Sequence, residues 1–195
     1  PGGSRLLSGN LELISRFEKR LAQFVGVEDT ITFPTGYMAN LAVIPAVMGP
    51  FISTDTKEIT YDGVIFSDQN NHATIVDGCR LTPAKKVIYK HNDLPDLIDE
   101  IEKYSTIEHK LIITESVYST EGTLTNIDDI SSIAKMNNSM LMVDDAHGEG
   151  VLGSGRGIAH HFNLQGKLDI EVGTLSKAFG VLGGVITGKK ELIEY

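Results

Sequence analysis

Only one cysteine, Cys79, occurs in the 195 residues, so no internal disulfide can form and the chain fits a reducing compartment. No apolar run approaches the ~20 residues that a membrane-spanning helix needs. The first residues, Pro1-Gly2-Gly3-Ser4-Arg5, carry no secretory signal pattern, and a cytoplasmic location is the expectation. Positive charge is not in excess: 17 Lys and Arg stand against 26 Asp and Glu, a formal net charge of -9. That balance argues against a general nucleic-acid surface but leaves room for a local basic patch facing an anionic substrate. No internal repeat is visible, and no linker is long enough to divide the chain. His160 and His161 have no second ligand cluster at metal spacing, so no metal site is expected. Asn137-Asn138-Ser139 matches a glycosylation acceptor, which without a secretory route is coincidence.

What remains is a chain with 41% hydrophobic and 22% charged residues, enough for one globular unit with a sizeable core. Leu13, Phe17, Leu21 and Phe24 recur at helical spacing behind Asn10, a candidate cap, and predict an amphipathic helix over residues 10–25. Short apolar runs follow at Thr30-Phe33, Gly63-Phe66, Lys86-Tyr89, Leu111-Thr114, Met140-Val143, Ile170-Val172 and Gly184-Thr187. Between them lie helix-like stretches near 36–48, 72–80, 93–104 and 126–137, with Asp93 and Asn126 as candidate caps. Apolar strands separated by helices predict an α/β fold with a mostly parallel sheet of about seven strands, flanked by helices on both faces. The segment from Gly49 to Lys57 reads as an exposed loop or insertion.

Two glycine motifs are decoys. Gly183 to Lys190 has a P-loop-like spacing, but lysine stands where the magnesium-binding hydroxyl belongs and the middle is a strand-like Val185-Ile186-Thr187 run. Gly153-Ser154-Gly155-Arg156-Gly157 lacks the dinucleotide spacing and a strand directly before it.

Lys177, set among Gly173, Ser176 and Gly180, is the most informative residue. A free lysine amine, with a pKa of ~10.4, must be desolvated or placed beside positive charge before it can attack a carbonyl at neutral pH. Small neighbours let a ring approach the backbone. About one α/β unit earlier stands Asp144, after the run Met140 to Val143. A carboxylate of that kind can keep a pyridine nitrogen protonated, so the pair suggests a lysine joined as a Schiff base to pyridoxal phosphate. Taken singly, a lysine between small residues, such as Lys177, is usually an ordinary solvated loop lysine. Asp144-Asp145 is equally a strand end facing water, or half of a magnesium site in a phosphoryl-transfer enzyme.

In such sheets ligands bind beyond the carboxyl ends of the strands. Thr35-Gly36-Tyr37 opens a helix there and could hold a phosphate on backbone N–H groups, or could be a plain glycine turn. His72 could stack on a cofactor ring or merely cap a helix. Ser119 could hydrogen-bond a cofactor hydroxyl or shape a turn.

Seven ordered motifs carry a family resemblance. They are Ser4 to Asn10, Phe33-Pro34-Thr35-Gly36-Tyr37-Met38-Ala39-Asn40, Asn71-His72-Ala73, Lys90-His91-Asn92-Asp93, Glu115-Ser116-Val117-Tyr118-Ser119, Val143-Asp144-Asp145-Ala146-His147-Gly148 and Gly173-Thr174-Leu175-Ser176-Lys177. Over essentially its whole length the chain resembles the α-oxoamine synthases, which are fold-type I pyridoxal 5'-phosphate (PLP) enzymes. The resemblance implies that Lys177 forms the Schiff base and moves protons at the substrate α-carbon, while Asp144 pairs with the pyridine nitrogen. It implies that His72 stacks on the ring, that His147 and Ser119 contact its phenolic oxygen, and that Gly36, Tyr37 and Thr174 hold the phosphate. The implied reaction condenses a small amino acid with an acyl thioester of CoA or acyl carrier protein, usually with decarboxylation, to give an α-amino ketone. Glycine, alanine and serine all stay open as the amino acid. Family members are about twice this length and act as homodimers. Residues 1–195 are therefore expected to be the PLP-binding large domain alone, without the N-terminal arm and C-terminal small domain, and to have little activity by themselves. The competing readings are another fold-type I enzyme, such as an aminotransferase, and a non-catalytic partner subunit, which loss of the lysine would mark.

Overall fold

A computed structural model describes residues 2–52 and 56–195. Seven strands form one sheet: β1 (Asp29–Phe33), β2 (Gly63–Asp68), β3 (Lys85–Tyr89), β4 (His109–Glu115), β5 (Met140–Asp144), β6 (Ile170–Thr174) and β7 (Gly184–Gly188). Their spatial order is β1-β7-β6-β5-β4-β2-β3. Every expected strand is present. The pairs β6/β5, β5/β4, β4/β2 and β2/β3 are parallel, whereas β7 runs antiparallel to both β1 and β6.

Strand composition follows position in the sheet. β2, β6 and β7 are buried along their full length, as strands covered on both faces must be. The expectation that all strands are apolar throughout fails at the edges. In β3, Lys85, Lys86 and Ile88 are exposed and only Val87 and Tyr89 face inward; lysines on an edge strand also discourage pairing with another chain. Along the central strands alternate residues feed two separate cores. Val64, Phe66, Ile112, Leu141 and Val143 pack with Leu97, Ile101, Ile130 and Ile133. Ile65, Leu111, Ile113, Met142, Ile170 and Val172 pack with Val43, Ile44, Ile75 and Cys79 on the other face.

The predicted helices form as α1 (Glu12–Val25), α2 (Gly36–Val47), α3 (Ala73–Arg80), α4 (Leu94–Glu102) and α5 (Ile127–Met136). Asp93 caps α4, its carboxylate accepting from Asp96 N at 3.0 Å. Asn126 sits at the N-cap of α5 but its side chain donates instead to Asp129 Oδ2 at 2.6 Å. Asn10 does not cap α1: Leu11 holds that position, and Asn10 Oδ1 accepts from Arg5 Nε at 3.1 Å. Arg5 also forks onto Glu18 at 2.8 and 2.9 Å, which ties the leading segment to α1.

The amphipathic reading of α1 needs a further correction. Of its stripe only Leu21 is buried; Leu13, Phe17 and Phe24 are 68%, 42% and 39% exposed. Leu13, Phe17, Leu21 and Phe24 instead line a surface cavity of about 490 Å³ with Phe179. The face that packs onto the domain carries Glu18, Leu21, Ala22 and Val25. In the segment read as a loop, Phe51–Ile52 pairs with Ile59–Thr60 as a short hairpin, and residues 53–55 lie outside the described residues. No helix among the described residues is long and apolar enough to cross a membrane.

Candidate active site

The six mutually parallel strands end on one edge of the sheet, and the predicted residues gather there. Gly36 and Tyr37 open α2 just beyond β1, His72 caps α3 beyond β2, Asp144 and Thr174 end β5 and β6, and His147 and Lys177 follow in the next loops. A cavity of about 260 Å³ is lined by all seven of these residues. Ser119 is apart from them. It is exposed in the turn of a hairpin that pairs Val117–Tyr118 with Thr123–Leu124, and it does not line the cavity.

At one end of the cavity, first-turn N–H groups of α2 have no intrahelical acceptor and give that end a partial positive charge. The Thr35 hydroxyl caps the helix by accepting from Met38 N at 3.1 Å. Opposite Gly36 stands Thr174; a Cβ on Gly36 would touch the Thr174 Cβ at 3.4 Å. Thr174 Oγ1 lies 2.8 Å from Ser176 Oγ and donates to Gly183 O at 3.1 Å. Gly184, the first residue of β7, lets the sheet touch the Thr35 carbonyl, where any Cβ would collide.

The centre is a hydrogen-bonded chain. Asn40 Nδ2 donates to Asp144 Oδ2 at 2.8 Å and to Thr74 Oγ1 at 3.0 Å, and Asp144 Oδ1 accepts from Ala146 N at 3.1 Å. His72 Nδ1 accepts from Thr74 N at 3.3 Å and lies 2.9 Å from the Thr74 hydroxyl. Backbone donation makes that nitrogen an acceptor and turns Nε2 outward as the other polar point of the ring. Glu115, the register partner of Asp144, accepts from His72 N at 2.6 Å. Burial, reinforced by the neighbouring Asp144 charge, pushes the Glu115 carboxyl up to about 7. Across the cavity Lys177 Nζ lies 3.0 Å from His147 Nε2. Burial, then the Lys177 charge, lowers the His147 pKa, so the imidazole is held neutral.

Behind the cavity lies a layer of buried carboxyls. Asp145 Oδ2 accepts from Ile158 N at 2.7 Å, yet burial raises its carboxyl to about 7. Burial also raises Glu149 well above the usual carboxylate range and Glu171 to about 8. The Glu149 carboxyl packs against the backbone of Gly173, filling the space a Cβ would need.

Asn40, Glu115, Thr74 and Ser176 line the cavity although none was singled out as a site residue. Asn40 is four positions after Gly36 on α2, on the same helical face, and Glu115 ends the strand beside Asp144; both positions were readable from spacing once the strand order was known.

The profile of the class I and II aminotransferases matches residues 2–195. The chain belongs to that family. It is 50% identical over 196 residues to 8-amino-7-oxononanoate synthase of Thermosipho melanesiensis, a match covering 100% of this chain and 47% of that protein. Among solved structures, an SPT (serine palmitoyltransferase) with a PLP internal aldimine superposes with a TM-score of 0.88 at 33% identity, covering 99% of this chain and 46% of that one. An 8-amino-7-oxononanoate synthase from Francisella tularensis gives a TM-score of 0.78 at 34% identity, covering 95% and 50%. The chain therefore spans about half the length of the curated relatives it matches. Family and fold agree with the resemblance read from the motifs: the relatives are named as 8-amino-7-oxononanoate synthases, and the SPT structure holds PLP.

Proposed function

We propose that residues 1–195 are the PLP-binding large domain of an α-oxoamine synthase, a C-acyltransferase that joins a small amino acid to an acyl thioester. The observation that carries this reading is the convergence of Lys177, His147 and Asp144 on one cavity, with Asp144 fixed by Asn40 at 2.8 Å and Lys177 3.0 Å from His147.

The residues suit the cofactor. A phosphate dianion matches the N-terminus of α2 with its N–H groups, flanked by the Thr35, Thr174 and Ser176 hydroxyls. A protonated pyridine nitrogen matches Asp144, whose carboxylate is buried and already oriented by two donors. When bound, PLP supplies an electron sink for a carbanion at the amino acid α-carbon. Lys177 would be the amine that attaches the cofactor and would also hold the α-proton of the amino acid. His147, held neutral, offers Nε2 as a hydrogen-bond group beside that amine and adds no competing positive charge. His72 would stack on the ring and His147 would meet its phenolic oxygen, where the resemblance also puts Ser119 from the neighbouring hairpin turn outside the cavity lining. Glycine, alanine and serine are the candidate amino acids, with CoA or acyl carrier protein as acyl donor. The working protein is a homodimer completed by an N-terminal arm and a small domain. It is cytoplasmic.

Titration with PLP followed by borohydride reduction and peptide mapping tests the assignment. The reduced cofactor is expected on the peptide holding Lys177 and absent from Lys177→Ala. An adduct unchanged in that variant overturns the role of Lys177. Thiol release by the full-length protein, measured with the three amino acids against acyl-CoA and acyl carrier protein donors, identifies the substrates; amino transfer to a keto acid without thioester would overturn the synthase reading.

A further inference from the structure

Of the Lys90-His91-Asn92-Asp93 motif, three residues serve the loop that carries them. Lys90 pairs with Asp96 at 2.7 Å, Asp93 caps α4, and Asn92 adopts a left-handed turn with its N–H on Asp68 Oδ2 at 3.0 Å. His91 does something else. Its Nδ1 lies 3.0 Å from Asp68 Oδ1 and its Nε2 lies 3.0 Å from the Thr123 hydroxyl. With Asp68 Oδ1 as the acceptor, Nδ1 donates, and in the neutral ring Nε2 accepts from Thr123 Oγ1–H at 3.0 Å, with Asn92 Nδ2 a longer 3.3 Å away. The ring also stands edge-on to Tyr118, with centroids 4.4 Å apart.

Both partners of His91 belong to segments that carry proposed cofactor contacts. Asp68, whose side chain is 1% exposed, ends β2 and accepts from Asn70 N at 2.9 Å, two residues before His72. Thr123 lies on the hairpin whose turn carries Ser119. The two segments are joined a second time through Tyr118. Its hydroxyl donates to Asn71 Oδ1 at 3.1 Å and accepts from Glu115 N at 3.2 Å, while Asn71 Nδ2 is anchored on Ile113 O at 2.9 Å.

Resting on the PLP reading above, we infer that His91 is a positioning residue: by bridging Asp68 and Thr123 it locks the His72 loop and the Ser119 hairpin together and so sets how the cofactor ring is held. His91 does not line the cavity, so it acts through its partners.

Thr123 gives the cleaner variant, because it is only partly buried. Thr123→Val removes the hydroxyl that donates to His91, and Thr123→Ser keeps it. In the full-length protein, His91→Ala and Thr123→Val are each expected to weaken PLP binding about five- to tenfold, the size of one lost hydrogen bond, and to reduce the circular dichroism induced in the bound cofactor. Thr123→Ser is expected to match wild type, and the double variant to be no weaker than the weaker single variant, as for two residues acting through one bond. Without cofactor, the same two variants are expected to speed amide exchange both at residues 70–72 and at residues 117–124. Equal behaviour of Thr123→Val and Thr123→Ser, additive losses, or faster exchange confined to the mutated segment overturns the inference. Failure of wild type to bind PLP would sink the functional reading instead, and amide exchange would still decide the coupling.

Discussion

Glu115 and Asp144 are register partners at the ends of adjacent parallel strands, and both carboxyls line the same cavity. Asp144 has two donors, from Asn40 and Ala146. Glu115 has one, the His72 N–H, and burial beside Asp144 raises it to about 7. The sheet therefore offers two carboxyls in different surroundings: Asp144 is held by two donors at the cavity, whereas Glu115, which titrates near neutrality, grips the His72 loop.

A pH dependence follows, because Asp145, Glu149 and Glu171 are shifted upward as well. An acid whose folded pKa exceeds its unfolded value binds more protons in the fold, so its stabilising contribution is complete below the unfolded value near 4 and is lost as pH rises through the folded value. For Glu115 and Asp145 the loss centres on about 7, and for Glu171 on about 8. The thermal midpoint of the cofactor-free protein is expected to fall between pH 6 and 9, by roughly 2–4 °C per kcal/mol lost. Glu171→Gln, uncharged throughout, should flatten that fall. Calorimetry across this range checks it, and a midpoint rising toward pH 9 would mean that the buried carboxyls are ionised in the fold.

Asn40 connects Asp144 to Thr74 and through it to His72. Replacing it with alanine removes a hydrogen bond to a charged carboxylate, worth about 1.5–3 kcal/mol, and leaves Asp144 free to turn. PLP affinity is expected to fall roughly 10- to 100-fold in Asn40→Ala, with the visible band of the bound cofactor displaced because the pyridine nitrogen loses its fixed partner. Absorbance titration measures both. Asn40→Asp puts a second negative charge beside Asp144 and should be no better than alanine.

Periodicity and turn chemistry were enough to locate all seven strands, because strands covered on both faces must be apolar. Direction was not legible: nothing in Gly184-Val185-Ile186-Thr187 distinguishes an antiparallel strand from its parallel neighbours. Of the two proposed helix caps beyond α1, only Asp93 caps; Asn126 finds Asp129 on its own first turn, and local side-chain competition of that kind escapes propensity rules. The α1 stripe misled for a different reason. Helical spacing reports that Leu13, Phe17 and Phe24 share a face, but not whether this chain covers it. The cavity lining was legible wherever a residue type suggests chemistry, as with Lys177, Asp144 and the two histidines. Asn40 and Glu115 matter through strand and helix register, which appears only once the sheet order is known. Ser119 sits on a turn outside the cavity lining, so its part at the phenolic oxygen rests on the resemblance alone.

Gly184 tests whether the fold or the ligand dictates the cradle at α2. Its backbone meets the Thr35 carbonyl so closely that a Cβ would overlap backbone atoms of both Thr35 and Gly36, and no side-chain rotation can relieve a clash between main chains. Gly184→Ala must therefore push β7 away from the start of α2, carrying Gly36 away from Thr174. A stability loss of roughly 1–3 kcal/mol is expected from the overpacking alone, together with a loss of inorganic phosphate and PLP binding larger than that destabilisation explains. Gly166→Ala is the control. Gly166 also has a glycine-type backbone, at φ 65°, but an added Cβ would meet only Gly26 O at an ordinary 3.7 Å, away from the cavity, so it should lower stability through backbone strain without selectively weakening phosphate. Equal phosphate affinity in the two variants at matched stability would show that the α2 cradle tolerates displacement, and that the anion is held elsewhere.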